Sequence, residues 1–125
     1  MSAYKVSLRE IRFFLWEQNR VEQQFLSRSP FNDKDRAYYD RLLDQARAFA
    51  LELGRAYQAS DRQECRLLAN GDVVIPREFH PLWQRYKQEW VPVLGNGGDS
   101  HRPALPPIIR QAIQEMFMGA NPAFM

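Results

Sequence analysis

The stretch LPPIIRQAIQEMFMGANPAFM, Leu105 to Met125, decides how the rest of the chain reads. Pro106 and Pro107 fit a first helical turn, where a missing amide donor costs nothing. Behind them Ile108, Ile109, Ala112, Ile113, Met116 and Phe117 fall at spacings that lay one apolar stripe along a helix. Gly119 reads as the stop. Asn121-Pro122 reads as the cap and first residue of another helix, with only Ala123, Phe124 and Met125 behind it. A start signal without a helical body leads to the expectation that this is the front part of a longer protein.

Working back, a longer stripe covers Tyr39, Leu42, Leu43, Ala46, Phe49, Ala50, Leu53 and Tyr57. It predicts a helix from a cap at Asn32 to about Gln58, with Asp33 and Asp35 in a first turn that favours acids. Asp40, Arg41, Asp44, Arg47 and Glu52 fall mostly off the stripe, as a solvated face should. Gly54 lies within it, where glycine costs about 1 kcal/mol against alanine. It marks either a close helix contact or an early end.

Near the start, Ser7-Leu8-Arg9-Glu10 matches a capping box. Ile11, Phe14, Leu15, Val21 and Phe25 carry an apolar face as far as Arg28, before Ser29-Pro30 breaks it. This is one helix, or two with a kink near Asn19. In the middle, Asn70-Gly71 is a strong turn signal between Arg66-Leu67-Leu68 and Val73-Val74-Ile75, which predicts a small hairpin or hairpin-like loop over 66–75. Phe79, Leu82, Trp83, Tyr86 and Trp90 mark a short aromatic-faced helix, and 91–104 reads as a loop with three glycines and two prolines. The expected fold is all-α, about four or five helices with one β excursion.

Composition narrows the function classes. Seventeen basic residues face fifteen acidic ones, a net charge of +2, and the two signs are interspersed. No basic stripe is offered to nucleic acid. The lone cysteine, Cys65, can form no internal disulfide, and no apolar run reaches membrane-spanning length or forms a signal core. The expected compartment is the cytoplasm, with no nucleic-acid partner and no membrane span.

Candidate chemistry is sparse. Gly95-Asn96-Gly97-Gly98 lacks the Lys-Ser/Thr of a phosphate-binding loop. His80, read as a half-buried helix residue, and His101 have no partner at metal-ligand spacing, so no metal site is expected. Cys65 with either histidine has no local signature of a nucleophile pair, and Asp61 with Glu64 reads as a solvated face beside Arg62 and Arg66. Phe117, Met118, Phe124 and Met125 fit either an apolar pocket or the core, and composition favours the core. No catalytic constellation emerges.

The order of the segments nevertheless resembles a known family. Arg12 to Leu15, Leu42 to Ala50, Asp61, Cys65-Arg66, Asn70 to Pro76, Phe79, Tyr86, Trp90, Gly97-Gly98, Leu105-Pro106 and Ala120 to Phe124 carry the likeness. Together they resemble the N-terminal helical domain of the acyl-CoA dehydrogenases, in the long bacterial branch with an additional N-terminal segment. The resemblance implies residues 1–30 as that extension and 31–125 as the helical domain, truncated at its C-terminus. It implies a parent flavoprotein that removes hydrogens from Cα and Cβ of an acyl-CoA thioester, with FAD accepting the hydride. The family's catalytic base and most of its flavin contacts lie in domains beyond this one, so no catalytic or cofactor-binding residue is assigned here and the chain alone should be inert. Phe117, Asn121, Phe124 and Met125 are carried over as residues lining the acyl pocket. The implied partners are an acyl-CoA substrate and the flavin and C-terminal domains, with homo-oligomers expected where their absence exposes apolar surface.

The chain departs from the family at Leu53 to Tyr57, at Glu78 and Glu89 where glycine is usual, and where Gly97-Gly98 runs into Asp99-Ser100-His101. The rival expectation is a freestanding helical interaction module anchored by Trp83, Tyr86 and Trp90 with Met116 to Met125.

Overall fold

The computed structural model describes residues 4–60, 65–94 and 105–125. In chain order these form α1 (Leu8–Arg12), a wide π-type turn (Phe13–Gln18), α2 (Val21–Gln24), α3 (Arg36–Ser60), β1 (Arg66–Leu67), β2 (Val73–Val74), α4 (Phe79–Arg85), a second π-type turn (Tyr86–Trp90), α5 (Val91–Leu94) and α6 (Pro107–Ala120). The fold is all-α with one small antiparallel ribbon. The glycines at 95–98, His101 and the Asp61–Glu64 pair lie outside the described residues.

The fold is built on α3 and α6, whose stripes pack face to face. Leu43, Ala46, Ala50 and Leu53 on α3 are fully shut from solvent, as are Ile109, Ile113 and Phe117 on α6. Phe49 and Phe117 meet edge to face at 5.2 Å, and Trp90 closes on both at 5.9 and 5.1 Å. Pro107 opens α6 where its missing donor is harmless, and Pro106 occupies the capping position.

Gly54 marks a close contact and not a helix end. A Cβ there would stand 2.8 Å from Tyr4 Cβ, and one on Gly119 would stand 2.9 Å from the Tyr4 hydroxyl. Tyr4 lies over both glycines and donates from its hydroxyl to Met116 O at 3.2 Å, tying the N-terminal segment across the seam. Gly119 is thus a space-maker within the last turn. The stop falls at Asn121.

Four expectations are corrected. Asn32 does not cap the long helix: α3 starts at Arg36, and Asp35 is the residue whose carboxylate accepts from Tyr38 N at 2.9 Å. Tyr57 is not on the buried stripe, because Ala56, three residues after Leu53, takes the inner position. Phe14 is exposed while Leu15 and Trp16 are buried, because the wide turn Phe13–Gln18 rotates the chain out of α-helical phase. The helix after Phe79 does not end at Trp90. A second wide turn, closed by Val91 N donating to Tyr86 O, leads straight into α5. Pro92 there is the second residue of a new turn, where its missing N–H is tolerated.

The N-terminal segment does break near Asn19: Arg20 takes a left-handed conformation, φ 50°, between the wide turn and α2. Ser7 caps α1, accepting from Glu10 N. A polar clamp then fastens this segment to α3. Asp40 accepts from Arg12 Nε at 3.2 Å and Trp16 Nε1 at 3.0 Å, and Arg12 also reaches Asp44 at 2.9 Å. The Arg36 guanidinium covers the Trp16 ring at 5.1 Å.

The ribbon forms around Asn70-Gly71 as expected, with Arg66 opposite Val74 and Leu67 opposite Val73. Gly71 has φ 91°, which a side chain disfavours, and Asn70 Oδ1 accepts from Asp72 N at 3.0 Å.

Candidate functional site

The corner at the end of α6 organises the most receptive surface. Asn121 is the one polar side chain fully buried among the described residues. Its Nδ2 donates to Leu53 O of α3 at 3.1 Å, and its Oδ1 accepts from Phe124 N at 2.9 Å. One side chain therefore pins α6 to α3 and caps the single turn that follows. A buried amide left half-satisfied costs about 1–3 kcal/mol, so both bonds define the corner.

That turn carries Phe124 back onto the aromatic face of α4. Its ring meets Phe79 at 5.8 Å, Trp83 at 5.7 Å and Tyr86 at 5.8 Å, all edge to face. Trp83 stacks on Tyr86 at 5.6 Å. α4 is itself held to α3 by the Arg85–Glu52 ion pair, with the Arg85 guanidinium 5.3 Å above Phe49. Between these rings, the end of α3 and the ribbon lies a cavity of about 390 Å³, walled by Ile75, Phe79, Trp83 and Phe124 with Ser60 and Cys65 also lining it. The Ser60 hydroxyl is engaged, donating to Tyr57 O at 2.7 Å. Cys65 is an exposed free thiol. Such a lining can hold an apolar group.

Of the four residues carried over as pocket lining, Phe124 lines this cavity. Asn121 lies behind it as the anchor of the turn. Phe117 stands one aromatic layer deeper, 6.3 Å from Tyr86, and is fully buried. Met125 is exposed, its backbone N–H donating to Asn121 O. Phe79, Trp83, Ile75 and Cys65 line the cavity with Phe124. Their sequence signal was the aromatic helix and the strand after Asn70-Gly71, but nothing in either spacing brings them to Phe124.

The anchors of the rival module fare differently. Trp90, Met116 and Phe117 are buried in the core, leaving Trp83, Met118 and Met125 exposed. His80 is exposed on α4, not half-buried, and is not part of the cavity wall.

A larger, polar hollow of about 580 Å³ lies at the start of α3, between Glu22, Asn32, Asp33, Lys34 and Arg41. Charges of both signs line it, and Lys34 Nζ stands 5.1 Å over the Tyr38 ring. Burial raises the phenol pKa of Tyr86, in the aromatic layer, and of Tyr4. Tyr39 is pushed up to about 12, by burial first and then by the charges of Asp33 and Tyr38. Among the described residues no group of three or more His, Cys, Asp or Glu is placed to hold a metal, and no helix is long and apolar enough to cross a membrane. Comparison with known protein families, with curated proteins and with solved structures gave no match in any of the three.

Proposed function

We propose that this chain is the N-terminal helical domain of an acyl-CoA dehydrogenase-like flavoprotein. In that role it supplies apolar wall for the acyl chain, while FAD and the catalytic base belong to other domains. The observation that carries the reading is the Asn121 corner. There the Gly-Ala-Asn-Pro-Ala-Phe segment on which the resemblance rests turns Phe124 onto Trp83 and the 390 Å³ apolar cavity. Aromatic and aliphatic walls suit an acyl chain, whose transfer from water is favourable by about 0.8 kcal/mol per buried methylene. No residue of this chain takes a chemical part in the oxidation, and alone it neither binds FAD nor dehydrogenates a substrate.

The test is to express the whole reading frame that contains these codons. The expected result is a frame that runs on past Met125 into a flavin domain, giving a yellow protein that bleaches when acyl-CoA is added. Two results overturn the proposal: a stop codon directly after Met125, or a 125-residue chain that is itself yellow and active. A second reading, a freestanding interaction module, draws on the outer face of the ribbon, where Leu67 is 77% and Val73 60% exposed. The stop codon would favour it.

A further inference from the structure

We draw no further inference here: the strongest candidate, the apolar face of the β1–β2 ribbon where Leu67 and Val73 stand exposed next to the Cys65 cavity, carries nothing because nothing in the structure shows what covers it, and the cavity belongs to the site already described.

Discussion

The α3–α6 seam and the β1–β2 ribbon are made from similar side chains and put them to opposite ends. In the seam, leucine, isoleucine and phenylalanine recur at helical spacing on two long elements, and each finds the other. In the ribbon, Leu67, Leu68, Val73, Val74 and Ile75 are equally apolar, yet every one is exposed. The ribbon has two paired residues on each strand, too little for independent stability. Apolar sequence becomes core only where the same chain supplies the opposing surface. Where it does not, similar residue types stay at the surface.

The sharpest way to break this comparison is to delete a side chain from each region. Phe117→Ala removes a fully buried ring that touches Phe49, Tyr86 and Trp90. The expected loss is about 3–5 kcal/mol, read from the midpoint of urea unfolding at unchanged slope. A loss under about 1 kcal/mol, typical of an unexceptional position, would show that the seam does not dominate stability.

Asn121→Ala should cost about 1–3 kcal/mol by stranding Leu53 O and freeing the Phe124 turn. The same variant should make the fluorescence of Trp83 more solvent-exposed, because Phe124 no longer covers its ring. Loss of stability with unchanged emission would separate the anchor from the cavity.

Gly54→Ala tests how tightly the seam closes. Helix propensity alone predicts a gain of about 1 kcal/mol, but the added methyl meets Tyr4 Cβ at 2.8 Å. Overpacking of this kind costs about 1–3 kcal/mol, so the net change should be destabilising. In a Tyr4→Gly background, which removes that Cβ, the same substitution should turn neutral or stabilising. Thermal unfolding of the four proteins in that cycle reads the coupling directly.

Alkaline titration probes the buried start of α3. The folded chain holds the Tyr39 proton to about 12, against 10.0 for an unperturbed phenol. The stability linked to Tyr39 is therefore complete below pH 10 and is lost as the pH rises through about 12. Tyr39→Phe should flatten that part of the decline seen by circular dichroism, while Tyr4 and Tyr86, whose pKa values are also raised, keep the remainder.

Smallest of all, Leu67→Ser on the ribbon should change stability by no more than about 0.5 kcal/mol, the usual bound for a surface position. A larger loss would mean that the ribbon is packed in solution.

What the sequence made legible follows the same division. The stripes on α3 and α6 could be read because long helices repeat their period many times over, and Asn70-Gly71 could be read because few residues accept Gly71's positive φ. Phase defects could not. The turn Phe13–Gln18 inserts Trp16 into the core in place of Phe14, and no periodicity at 3.6 residues anticipates an i to i+5 bond. Asn32 and Asp35 are both good caps, and local chemistry alone does not choose between them. The cavity was half legible: Phe124 was marked by resemblance, but its walls come from α3, the ribbon and α4, segments far apart in sequence. Only tertiary structure brings Cys65 and Ile75 to Phe124.

The hydroxyl of Tyr4 reaches across 112 residues to bond Met116, so that contact closes the chain between those two residues into one long ring. Closing so long a loop carries a large entropic cost before any contact returns it, so this is a bond for the end of folding and not its beginning. α3 can gather its neighbours through shorter loops, while the tyrosine seats only once α6 has arrived and both glycines face it. In kinetic terms it works as a latch. Strengthening or removing it should act chiefly on how fast the finished protein opens, leaving the rate of assembly nearly untouched.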